Sequence, residues 1–130
     1  MNAAFLGVLQ VGLMTDSNGF ELKNKSGDQL WILEAPLLYV SDLANVSVPK
    51  GFITDFASVP HIPFVYDTLA NMAQRPATVH DYLYSMCVVP RDIADKVLLE
   101  AMEISGVSWL KRRAIYLGVR VGGASHYKKG

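Results

Sequence analysis

The sequence predicts an α+β fold: a strand-rich N-terminal half of short antiparallel strands packed with a C-terminal bundle of three helices. Three observations predict it. The chain has 130 residues, the length of one ordinary domain, with 51% hydrophobic and 18% charged residues. Short apolar runs broken by turn residues fill the first half. The second half is punctuated by Pro76, Pro90, Ser108 and paired glycines at helical spacing. There is no internal repeat and no linker, so residues 1–130 read as a single domain, strand-rich over 1–53, loop and short helix over 54–75, and helical over 76–130.

From the N-terminus, Phe5 to Met14 is an apolar run that ends at the turn signal Asp16-Ser17-Asn18-Gly19. Phe20–Lys23 and Leu30–Leu33 flank Ser26-Gly27-Asp28, the pattern of a hairpin turn. Pro36 interrupts, Leu37–Val40 forms a further strand, and Val46-Ser47-Val48 alternates up to Pro49. The count is three to five strands up to about residue 53. Residues 51–63 read as loop, because Pro60 and Pro63 forbid a regular helix there. A short helix follows over about 64–73. Pro76 suits the first turn of a helix over about 77–86. Pro90 opens the next, over about 91–104, which stops at Ser105-Gly106. Ser108 caps a third, reaching about Val121 before Gly122-Gly123. Trp109 and Tyr116 on it read as core residues.

The composition also bounds the environment. The single cysteine, Cys87, excludes an intramolecular disulfide framework and reads as a buried small apolar residue. No basic residue precedes the apolar N-terminal stretch, so no signal peptide is evident, and no run reaches the ~20 apolar residues of a membrane span. The net charge is zero but uneven. Residues 107–130 hold six Lys or Arg and no Asp or Glu, which leaves −6 on the remainder. That basic helix suits an anionic partner, or simply complements an acidic body.

The chemistry concentrates in Ala77-Thr78-Val79-His80-Asp81-Tyr82-Leu83-Tyr84. On a helix His80 and Tyr84 share a face, and Asp81 is turned about 100° away. The natural division gives His80 proton transfer and Asp81 a metal or structural role. Asp95 heads the apolar stripe Leu98, Leu99, Met102, and a carboxylate on such a stripe needs a partner. His80 and Tyr84 are the available ones. Asp92, by contrast, sits where a negative charge complements the helix dipole. The same residues would also serve as a structural polar network fixing two helices.

Two resemblances follow from these residues. Residues 48–60 (Val-Pro-Lys-Gly-Phe-Ile-Thr-Asp-Phe-Ala-Ser-Val-Pro), His80-Asp81-Tyr82-Leu83-Tyr84, Arg91 with Ala94-Asp95, and Arg113, Tyr116 and Arg120 together resemble a family of uncharacterised proteins of tailed phages and prophages. That resemblance implies a viral protein, located in the host cytoplasm during infection or in the virion. Secondly, His80-Asp81-x-x-Tyr84 followed by Asp95-x-x-Leu98-x-x-x-Met102 resembles the active-site helices of secreted phospholipases A of the second class. This implies His80 as a general base for water, Asp95 as its orienter and Tyr84 as a support. It further implies Asp81 as a calcium ligand, with Asp55 in the upstream loop as a second. The family's helix-joining cysteines are absent, and Leu83 stands at one of their places.

The expected function is therefore a phage-encoded, calcium-dependent hydrolase acting on a lipid or other ester. One alternative is a virion, tail or assembly component whose partners are phage structural proteins. Another is a binder of an anionic partner through the basic C-terminal helix; nucleic acid is not the expected partner.

Overall fold

The computed structural model describes residues 3–25, 27, 29–54 and 73–127, with the side chain of His126 left aside. The order is β1 (Ala3–Leu6), β2 (Val11–Leu13), β3 (Trp31–Leu33), β4 (Leu37–Ser41), β5 (Asn45–Val48), β6 (Ile53–Thr54), α1 (Gln74–Met86), α2 (Arg91–Ile104) and α3 (Trp109–Gly122), then a 3-10 turn, Gly123–His126. The α+β expectation holds, with strands first and three helices after.

The strand count exceeds three to five, because the apolar run from Phe5 divides. Gly7 takes φ +88°, a conformation that side chains resist. The chain turns there, so β1 joins β4 and β2 joins β3, in different sheets. The first sheet is ordered β1-β4-β5 and the second β2-β3-β6, all pairs antiparallel. β6 lies inside the stretch read as loop. Gly51 at φ +91° reverses the chain after Pro49, and its N–H donates to the Leu33 carbonyl over 2.8 Å. Ile53 and Thr54 then run beside Ile32 and Trp31. Residues 20–23 are not a strand: only single bridges form, Thr15 with Glu21 and Lys23 with Gln29. Asp16 holds the first of these turns, its Oδ1 accepting from the N–H of Asn18 and of Phe20 at 2.8 and 3.0 Å.

α1 begins at Gln74, three residues before the expected start, with Pro76 still in the first turn where its missing N–H costs nothing. It ends at Cys87, whose left-handed φ of 52° lets its N–H return to the Leu83 carbonyl. Cys87 is half-buried rather than buried. α2 matches its expected bounds, with Asp92 in its first turn. Ser108 caps α3 by accepting from the Lys111 N–H. The short helix expected over 64–73 lies outside the described residues except for Ala73, which precedes α1.

Two apolar clusters hold these elements. Alternation along β4 and β5 sends Leu37, Tyr39, Val46 and Val48 onto Val79 and Leu83 of α1 and Ala94, Val97 and Ala101 of α2. The second cluster joins the helices through Ala77, Leu98, Met102, Ile115 and Val119. Each fully buried side chain of this size contributes about 1.5–3 kcal/mol. Between sheet and helix, the Tyr39 hydroxyl donates to buried Glu100. Trp109 is exposed instead of being core, and the Arg113 guanidinium stands over its ring at 5.8 Å; Tyr116 is half-buried. Among the described residues no helix is long and apolar enough to cross a membrane.

Candidate active site

The core-facing sides of α1 and α2 meet at a polar group. One helical turn separates His80 from Tyr84, and their ring centroids lie 4.1 Å apart. Asp95 faces both from α2. Its Oδ1 accepts from His80 Nε2 at 2.7 Å and from the Tyr84 hydroxyl at 2.6 Å. Its Oδ2 accepts from Arg120 Nη1 of α3 at 2.7 Å. His80, Tyr84 and Asp95 are all buried, the first and last at 0% exposure. The three residues expected to form the catalytic group are therefore in mutual contact.

A second arginine braces the group. Arg91 Nε donates to the Tyr84 hydroxyl at 3.2 Å and stands 4.0 Å from Asp95 Oδ2. Its Nη2 donates to the carbonyls of Val119 and Arg120 at 2.6 and 2.8 Å. Those are last-turn carbonyls of α3, where backbone partners run out; that of Val119 also accepts from the Gly123 N–H. Arg91 thus ties the start of α2 to the end of α3. Gly123 closes the group from above: a Cβ there would sit 2.8 Å from the Tyr84 oxygen. Tyr127 packs edge-on against Tyr84 and donates its hydroxyl to the Val89 carbonyl at 2.7 Å.

Electrostatics assigns the protons. Burial disfavours charge on Asp95, but the hydrogen bonds from His80, Tyr84 and Arg120 together outweigh it and hold the carboxyl below its ordinary range. Burial pushes the His80 pKa below its ordinary value; the Asp95 bond opposes this and Arg91 adds to it. Burial, then the bond to Asp95, raises the Tyr84 hydroxyl. The Asp95 bond raises Arg120. The resting state is an aspartate facing a neutral imidazole and a neutral phenol. With Asp95 anionic, the proton of the neutral ring sits on Nε2, where it is donated, and Nδ1 carries the lone pair.

The residues expected to bind metal fare differently. Asp81 is half-buried on α1 and is not among the partners of Asp95. Asp55 lies outside the described residues. Among the described residues no group of three or more His, Cys, Asp and Glu could hold a metal ion. The arginines were visible only as parts of a sequence pattern, without a role. The available signal was physical: a carboxylate on a core stripe calls for a cation, and Arg120 flanks buried Val119.

No curated protein matches the chain, and no solved structure does. A family model does match, over residues 31–119, a span that runs from β3 to one residue short of Arg120 and includes His80, Tyr84, Arg91 and Asp95. The chain belongs to that family, described as "Protein of unknown function (DUF1353)".

Proposed function

We propose that this protein is an ester hydrolase in which His80 activates water. The observation that carries the reading is the 2.7 Å contact between His80 Nε2 and an Asp95 carboxylate that Tyr84 and Arg120 hold in place. Such a carboxylate fixes the ring and its tautomer and stabilises the imidazolium as it forms. In this reading the His80 imidazole takes a proton from water as the water oxygen bonds to the ester carbonyl carbon. When the carbon–oxygen bond to the leaving group breaks, the same proton passes to the departing alkoxide oxygen. Asp95 stays ionised throughout. Calcium belongs to the proposal: Asp81, with Asp55, would supply carboxylate oxygens of the kind it takes, and when bound it would stabilise the developing oxyanion.

The test compares wild type with His80→Gln, whose amide can still donate to Asp95. Hydrolysis of phospholipid and p-nitrophenyl esters is followed with calcium and with a chelator. General-base catalysis contributes about 10²–10⁴-fold, so the variant should lose at least about a hundredfold. Equal rates in the two proteins would sink the reading.

A second reading has its own support. His80 and Asp95 are both at 0% exposure, and the group draws on all three helices. In that reading the network only locks the helices, and the protein is a phage virion, tail or assembly component. It predicts no esterase activity, and the protein's presence in purified phage particles; absence from them counts against it.

A further inference from the structure

The outermost line of α3 is apolar where a solvated helix carries charge. Ile115 and Val119 face the core. At 100° per residue, Leu110, Leu117 and Val121 fall within about 40° of one another on the opposite side. They are 65%, 60% and 86% exposed. Single exposed aliphatic residues are ordinary; three in a line about 17 Å long on one helix face are not. Cations flank the line. Arg113 lies on one side, with its guanidinium over the ring of 61%-exposed Trp109. Lys111 lies on the other. Residues 107–130 contain no Asp or Glu.

We propose that this face of α3 docks on an anionic phospholipid bilayer, lying in its plane. Leu110, Leu117 and Val121 enter the boundary of the acyl chains, Trp109 sits at the headgroup level, and Lys111 and Arg113 meet lipid phosphates. Charge complementarity decides the occupant. A second copy would have to offer an apolar face bearing acids. The outer face of the first sheet is apolar through Leu6, Leu38 and Val40, but its polar strand positions are Asn45 and Ser47, and the one acid beside it, exposed Asp42 in the β4–β5 turn, cannot match two cations on opposite sides of the α3 line. A nucleic acid would meet the cations and leave the aliphatic line in water. An anionic bilayer satisfies both. The proposal stands on residues outside the His80 group, so the two can fail separately.

The test uses the full chain and sedimentation with vesicles of phosphatidylglycerol and phosphatidylcholine, against phosphatidylcholine alone. Binding should need the anionic lipid and weaken with salt. Arg113→Gln and Lys111→Gln should each weaken it about fivefold. Leu117→Ser, which leaves the charge unchanged, should weaken it about tenfold. In a Trp31→Phe background, emission from Trp109 should shift to the blue on anionic vesicles. His80→Gln should bind like wild type. Equal binding to both vesicle types, or full binding by Leu117→Ser, overturns the proposal. So does a dimer that Leu117→Ser dissociates, or tight duplex DNA binding without vesicle binding.

Discussion

Replacing Asp95 with Asn removes one charge and keeps the shape, so it measures what that charge holds together. Asp95 is fully buried and accepts three hydrogen bonds, each of 2.7 Å or less. A bond to a charged group is worth about 1.5–3 kcal/mol and a neutral one about 0.5–1.5. In Asp95→Asn the amide oxygen keeps His80 and Tyr84 as neutral partners, at a loss of about 1 kcal/mol each. Its nitrogen then faces the Arg120 guanidinium, donor against donor. Arg120 is 34% exposed and can turn to water, so the full cost of a stranded buried charge does not apply, and about 1 kcal/mol is the fair figure there. The expected loss is about 3 kcal/mol. With a urea m-value of about 2 kcal/mol/M for a chain of this size, the unfolding midpoint should fall by about 1.5 M with m unchanged. The double variant Asp95→Asn/Arg120→Gln should lose less than the sum of its singles, because they share a bond. A loss below about 1 kcal/mol, or strict additivity, would refute the view of Asp95 as the node joining the helices.

Other perturbations probe the same group. Because burial keeps His80 neutral in the folded state, the unfolded chain takes up a proton near pH 6.5 that the native state does not. Stability should therefore be full above about pH 6.5 and fall as the pH drops below it, by up to about 1.4 kcal/mol per unit, until the lower native pKa is passed. Urea titrations at pH 5, 6, 7 and 8 should show this limb, and His80→Gln should flatten it. A separate limb near pH 4 and below should remain, from Asp95, whose native pKa is also lowered. Gly123→Ala drives a methyl to 2.8 Å from the Tyr84 oxygen and 3.3 Å from Arg91 Nη2, and should cost about 1–3 kcal/mol in thermal unfolding. Gly122→Ala meets nothing within 4 Å and should be neutral or stabilising by up to about 1 kcal/mol. Tyr84→Phe removes a hydroxyl that both donates to Asp95 and accepts from Arg91. It should cost about 1–3 kcal/mol by urea unfolding and leave most of any hydrolytic activity, since the imidazole–carboxylate contact survives.

What the sequence makes legible here is what acts locally. Pro76, Pro90, Ser108 and Gly106 mark helix ends through their own backbone chemistry, and the helices begin and end within a few residues of those marks. Asp95 was legible as a paired group because Leu98 and Met102 on its stripe had to be core, and both are fully buried. Long-range choices were not legible. Nothing local in Phe5–Met14 says that its two halves join different sheets; Gly7 permits the turn, but β3 and β4 decide it. β6 is two residues long and exists through its pairing with β3, so no periodicity could reveal it. Arg120 reaches Asp95 across 25 positions, and Arg91 caps a helix 28 residues away. The exposure of Trp109 followed the same rule: its setting depends on how α3 is rolled, and Ile115 and Val119 set that roll.

The charge balance of the group bears on which of its two readings is right. With His80 neutral, one aspartate faces Arg120 and Arg91, whose head groups are partly exposed. Water screens much of the surplus positive charge. A proton added to His80 would raise that surplus inside the core, where 0% exposure offers no such screening. Arg91 adds to the burial effect that disfavours it, and the Asp95 bond opposes both. An imidazolium held in that balance is a short-lived species that returns its proton readily, which suits a base that must pass the proton to a leaving group. A purely structural histidine has no use for the balance, and a glutamine there keeps a donor for Asp95 while losing the ring contact with Tyr84. His80→Gln therefore separates the readings on rate: loss of hydrolysis in a variant that still folds marks the histidine as chemistry, and no hydrolysis to lose in either protein marks it as packing.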